Sequence, residues 1–268
     1  MVPVTLPPAF FLPGEHADTF VATALTRGPW HNGLQHGGPP TALLARALSR
    51  AGDHADDFAL VRMTVDLLRP VPIGPVHLAV QPIRLGREVQ RWSAVLTVGD
   101  RVCIEAVGLR MRQVPVDMPA PPPIAPWPDP ETLSRYQLGF FKNPVGYHNA
   151  VDMRVAVGAW GTTPIGMWAR PLVPLIAGLR RTPLESLVIL ADAQSGMGIP
   201  TDPLRTTFVN PDLTIILERA PREGWLGFDI RSAGGPLGSG LSQSALRDQH
   251  GAVGRSAQTL LLRPRLPD

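Results

Sequence analysis

The chain is predicted to be an α+β protein: two tandem helix-plus-antiparallel-sheet repeats that share one continuous sheet. Three observations predict this. Two almost wholly apolar helical stretches, one near Thr41–Leu48 and one over Pro183–Met197, sit in similar places in the two halves of the chain. Strand-like runs broken by short turns surround each of them. Residues also repeat: Thr64, Leu67, Arg69 and Gly74 match Thr214, Leu217, Arg219 and Gly224 at one constant shift. Leu109, Met111 and Arg112 match Leu260, Leu262 and Arg263 at nearly the same shift.

The elements follow in order. His16–Thr26 reads as a first strand. A Trp30–Gly38 loop enters the first helix, where Pro39 and Pro40 suit the first turn because their missing N–H groups are no loss there. Gly52 is placed to end that helix. Leu60–Leu68, Val76–Arg84, Val89–Val98 and Val102–Arg112 read as strands, with Gly99-Asp100 as a hairpin turn. Seven prolines between Pro119 and Pro130 then mark a semi-rigid linker. The expected division is a first unit over 1–114, a linker over 115–135 and a second unit over 136–268. In the second unit Asp152–Trp160 and Ile165–Arg170 read as strands, Pro183–Met197 as the helix, and Leu213–Glu218, Trp225–Ala233, Gly238–Asp248 and Val253–Arg263 as strands. A sheet wrapped around buried helices accounts for helices that are apolar on nearly every face.

Composition excludes several functions. The 44% hydrophobic content of 268 residues supplies a full core, and the net charge is only +3. Lys142 is the single lysine and no basic run tracks a phosphate backbone, so no nucleic-acid partner is expected. The lone Cys103 sits in a strand-like setting and reads as a buried structural thiol. The seven histidines are dispersed without ligand spacing, so neither a metal nor a cofactor is implied. The start of the chain lacks signal-peptide character and no apolar run is long enough to span a membrane, which leads to the expectation of a cytoplasmic protein. There is no Gly-x-Ser-x-Gly, no Walker loop and no Gly-x-Gly-x-x-Gly fingerprint.

The run Trp30-His31-Asn32-Gly33-Leu34-Gln35-His36-Gly37-Gly38-Pro39-Pro40-Thr41-Ala42-Leu43-Leu44 resembles the N-terminal signature of thioesterase-like double-hotdog proteins, relatives of acyl-CoA thioesterase II common in actinobacteria. Val65–Pro72, Arg84–Arg87, Ala191–Gly196 and Asn210–Thr214 fit the same family. The resemblance covers nearly the whole chain outside the Pro-rich linker. It implies a double hotdog that hydrolyses fatty acyl-CoA in lipid metabolism, with an Asp, a Ser/Thr and a Gln orienting a water. Carried over, the Asp falls on Asp192 and the Gln on Gln258. The Ser/Thr position falls on Asn210, a departure, although an amide still holds a water. Hotdog hydratases carry an Asp five residues before a His, and no histidine here has one.

On their own terms these residues divide between two readings. Asp192 is the one acid in an apolar helix stretch, either a helix-face acid reaching a donor or a general base with its pKa raised by apolar surroundings. Gln258 is either an outward strand residue or an inward partner of Asp192. Asn210 before Pro211 is by default a turn residue. His36 either bonds loop backbone or contacts the thioester. Gly37 and Gly38 either make a tight turn or offer N–H groups to an oxyanion. The expected function is an acyl-CoA thioesterase with Asp192, Asn210 and Gln258 as catalytic residues and His36, Gly37 and Gly38 binding substrate. The alternatives are a non-hydrolytic acyl-thioester or lipid-binding protein with a degenerate site, or a structural assembly subunit. A homo-oligomer is left open.

Overall fold

The computed structural model describes residues 5–119, 121–199 and 201–265. Among these residues thirteen strands form one antiparallel sheet. The first half supplies β1 (Phe11–Pro13), β2 (Thr19–Ala22), β3 (Phe58–Leu67), β4 (Pro75–Leu85), β5 (Val89–Val98) and β6 (Arg101–Arg112). The second supplies β7 (Val151–Val157), β8 (Ile165–Pro171), β9 (Thr206–Val209), β10 (Asp212–Leu217), β11 (Leu226–Gly234), β12 (Ser239–Asp248) and β13 (Gly251–Pro264). The order across the sheet is β1-β2-β4-β5-β6-β3-β10-β13-β12-β11-β8-β7, with β9 paired to β13 off this path. The order is palindromic. β3 meets β10 at the centre, and there Thr64 pairs with Thr214. Each is the repeat copy of the other, so a local two-fold axis passes between them. Joining the units this way covers the edges that β3 and β10 would otherwise expose.

Among the described residues three α-helices pack against the sheet: α1 (Gly38–Ser49), α2 (Pro183–Ala191) and α3 (Gln194–Met197). α1 and α2 pack on each other and against the strands. Leu43, Leu44 and Leu48 of α1 and Leu187, Ile189 and Leu190 of α2 are fully buried. Burying each such side chain contributes roughly 2 kcal/mol, which is why these helices carry apolar residues on nearly all faces. α2 starts with a capping box: Thr182 Oγ1 accepts from Glu185 N–H, and Glu185 accepts from Thr182 N–H.

The observed elements depart from expectation in five places. The strand expected over His16–Thr26 is shorter, because Thr23 Oγ1 accepts from the Leu25 N–H and turns the chain into a short 3-10 helix. β1 precedes it unforeseen. The strand expected to reach Trp160 stops at Val157, followed by Gly158 at φ +79°. The helix expected over Pro183–Met197 breaks after Ala191, since Ala193 N–H bonds back to the Leu190 carbonyl and tightens the turn. β9 went unseen because four residues are too few to show a period.

The Pro-rich stretch lies against the second half. Trp127 meets Trp168 edge-on at 5.2 Å and lies under the Arg247 guanidinium at 4.4 Å. Cys103 is buried, and burial pushes its thiol pKa up, as befits an inert core thiol. Among the described residues, no helix is long and apolar enough to cross a membrane.

Candidate active site

The antiparallel packing of α1 on α2 decides the site. It brings the N-terminus of α1, carrying His36, to the C-terminal end of α2, carrying Asp192. His36 Nδ1 lies 2.9 Å from Asp192 Oδ2. Asn210, in the turn from β9 to β10, donates from Nδ2 to Asp192 Oδ1 at 2.8 Å. Asp192 is 4% exposed. Burial raises its pKa, but the His36 charge and hydrogen bonds from His36, Asn210 and the Gly38 N–H outweigh burial. The carboxyl is thus held below its ordinary range, which corrects the expectation of a raised value. The apolar surroundings are real, but three donors converge on this one group.

Gly37 and Gly38 are required for closeness rather than for turn geometry. Gly37 has ordinary right-handed helical angles, φ −64° and ψ −25°. A Cβ there would lie 2.9 Å from Asp192 Oδ2, and one on Gly38 would run into the Ile189 carbonyl oxygen. The Gly38 N–H makes a hydrogen-bond contact with His36 Nδ1 at 3.2 Å and helps hold the Asp192 carboxyl low, so it is not free for an oxyanion. The Gly37 N–H has no acceptor among the described residues.

Gln258 points inward, as its site role required, but meets the backbone of Asp192 rather than its carboxylate. Its Nε2 donates to the Asp192 carbonyl oxygen at 3.0 Å. That carbonyl lies at the end of α2, where helical partners run out, so Gln258 caps it. Its Oε1 is buried without a partner.

Sequence reasoning missed Tyr147. Its ring stacks flat on His36 at 3.9 Å and 6°. Its hydroxyl donates to the Ile189 carbonyl at 3.0 Å, another carbonyl left over where α2 tightens. Tyr147 is fully buried, and burial together with the Asp192 charge raises its pKa well above the ordinary value. Its short helical turn, Tyr147–Asn149, carries no pattern in sequence that reveals this contact.

Beside the cluster opens a cavity of about 440 Å³. His36, Gly37, Asp192, Ser195 and Asn210 form its polar wall. Leu34, Val71, Leu138, Phe140 and Phe208 contribute to an apolar remainder. Trp30 stacks on Phe140 at 5.9 Å and meets Phe208 edge-on at 5.1 Å. Among the described residues, no group of His, Cys, Asp or Glu could hold a metal ion.

Two hotdog repeats on one sheet, with one polar cluster set in an apolar cavity between their helices, define a double hotdog of thioesterase type. The acyl-CoA thioesterase N-terminal domain model matches residues 26–111, and the C-terminal domain model matches residues 115–262. The chain belongs to the acyl-CoA thioesterase family. No curated protein matches it in sequence. Acyl-CoA thioesterase II TesB2 from Mycobacterium marinum is similar in structure, at TM-score 0.68, 15% identity and 96% coverage of both chains. The tesB protein of Mycobacterium avium subs paratuberculosis is similar at TM-score 0.66 and 18% identity, over 94% of this chain and 96% of that one. A hot dog fold protein of unknown function from Alicyclobacillus acidocaldarius gives TM-score 0.70 at 15% identity, over 95% and 96%. At these identities the structures establish a shared fold.

Proposed function

We propose that this protein hydrolyses fatty acyl-CoA to free acid and CoA. The observation that carries the reading is a buried carboxylate, Asp192, held by donors from both halves of the chain on the wall of a largely apolar cavity. A buried charge is expensive unless it is paired. Here it borders a cavity suited to an acyl chain, and its negative charge is the source of water activation for attack on the thioester carbonyl. Asn210 stands where the family carries Ser/Thr and keeps a donor on the carboxylate. Gln258 fixes the backbone of Asp192. The Gly37 N–H polarises the carbonyl. CoA lies outside the cavity near arginine side chains. Residues 1–114 and 136–268 are the two hotdogs in this reading, with 115–135 as linker, and the activity belongs to lipid metabolism in the cytoplasm. The test is thiol release from acyl-CoA over a range of chain lengths. Absence of turnover by wild type, or full activity in Asp192→Ala, contradicts the reading.

The second reading, a non-hydrolytic acyl-thioester binder, follows from the resemblance, by which Asn210 takes the place of a family hydroxyl. Tight binding of acyl-CoA without thiol release selects it.

A further inference from the structure

We propose that His36, through Nε2, is the general base and general acid of the reaction, and that Asp192 acts only through it. The inference rests on the thioesterase reading above and assigns the proton within it.

Asp192 is poorly placed to receive a proton from water. Oδ2 faces His36 Nδ1 at 2.9 Å, and Oδ1 accepts from Asn210 Nδ2 at 2.8 Å. With 4% exposure, little of the carboxylate meets the cavity. The depressed carboxyl pKa agrees with this, since a weak base accepts protons poorly.

His36 has the complementary geometry. Its ring lines the cavity. Nδ1 lies 2.9 Å from a carboxylate oxygen that can only accept, so the Nδ1–H tautomer satisfies that contact and leaves the lone pair on Nε2, and the Gly38 N–H, which also reaches Nδ1 at 3.2 Å, then turns to the carboxylate instead. Nε2 lies on the opposite side of the ring and has no hydrogen-bond partner among the described residues. Stacking on Tyr147 at 3.9 Å fixes the ring plane, and the Tyr147 hydroxyl bond to Ile189 ties that plane to the end of α2. The ionisable groups around the ring are Asp192 and Tyr147, with His31 and Arg69 also on the cavity wall. A base oriented by a buried acid on its far nitrogen is the arrangement that activates an oxygen nucleophile.

The step balances. The water oxygen bonds to the thioester carbonyl carbon, and one water proton passes to Nε2. The tetrahedral intermediate collapses with cleavage of the C–S bond. The proton on Nε2 then passes to the leaving sulfur, giving the carboxylic acid and the free thiol and restoring neutral His36.

The test is thiol release by the full-length protein as a function of pH, for wild type and His36→Gln. Glutamine keeps a donor for Asp192 but offers no nitrogen that accepts a proton. The expected result is a fall in kcat of about 10²–10⁴-fold with KM little changed, and loss of the acidic limb of the wild-type kcat/KM profile. A His36→Gln enzyme with near-wild-type kcat and the same acidic limb overturns the inference and returns the proton to Asp192. A second measurement needs no variant. Nitrogen NMR of the wild-type His36 ring at the pH of activity must show the proton on Nδ1 and a bare Nε2; the opposite tautomer overturns the inference. Wild type that releases no thiol fails the thioesterase reading itself, which separates the two failures.

Discussion

The two sides of the local two-fold axis hold equivalent backbone and opposite chemistry. Counting from the Thr64–Thr214 pair, Gln258 in β13 corresponds to Gly108 in β6, and Asn210 to Leu60. Ser242 lies opposite Gln258, and Trp92 opposite Gly108. On the active side this gives a polar cluster beside about 440 Å³ of space. On the other side Leu60 and Leu48 close over Gly108, where an added Cβ would come within 2.8 Å of Leu60 Cδ1. A gap of only about 10 Å³ lies beside Leu60, between it and Leu184, Val188 and Leu217. The second helix crossing is likewise an ion pair, of similar burial: Arg46 Nη1 to Glu185 Oε1 at 2.7 Å. One copy of the repeat geometry thus sets a carboxylate–imidazole pair on a cavity wall, while the other sets a glutamate–arginine pair that ties the two helices together. Duplication frees one site to be filled in for stability while the other keeps its cavity.

If this contrast is correct, the two sides respond differently to mutation. Asp192→Ala should lower kcat/KM about 10³-fold, or ~4 kcal/mol in transition-state terms, as read by thiol release. Glu185→Ala should leave turnover by the folded protein unchanged but cost about 3 kcal/mol in denaturant unfolding, because Arg46 loses its buried partner and α2 loses its capping box. A Glu185→Ala protein of wild-type stability would break the contrast. Asn210→Ala removes a donor to a buried carboxylate, with an expected loss in kcat/KM worth about 2 kcal/mol. Gly108→Ala overpacks the filled side and should cost about 1 kcal/mol of stability, visible in the melting midpoint, with activity intact. The smallest effect is with pH. Because the Asp192 carboxyl is held below its ordinary range, its stabilisation is present above the unfolded value near ~3.9 and is lost as pH falls through the folded value. Wild type should therefore lose stability more steeply in acid than Asp192→Asn; parallel curves would contradict this.

Much of the fold was legible because its signals are local or repeated. Strand alternation in β3–β6 and β10–β13, the two apolar helices and the shared residues of the two halves all follow from periods of two and 3.6 and from one constant shift. The site was legible in part. Asp192 stood out as an acid in an apolar stretch, and the Trp30–Leu44 run marked the loop bearing His36. The break after Ala191 was not readable, because it depends on which carbonyl the Ala193 N–H selects. Nor was the part played by Gln258, whose amide meets the Asp192 backbone only after β13 has taken its place beside α2.

By itself the sequence determined two repeats, two buried helices and one sheet, since burial patterns and turn chemistry act within a few residues. Only the tertiary structure decided that His36 of one half and Asp192 of the other form a single pair. That pairing follows from antiparallel helices packed so closely that Gly37 and Gly38 cannot carry a Cβ, with Tyr147 wedged flat against the imidazole. Distances of this kind between remote segments are set by how the whole core packs, and no local pattern encodes them.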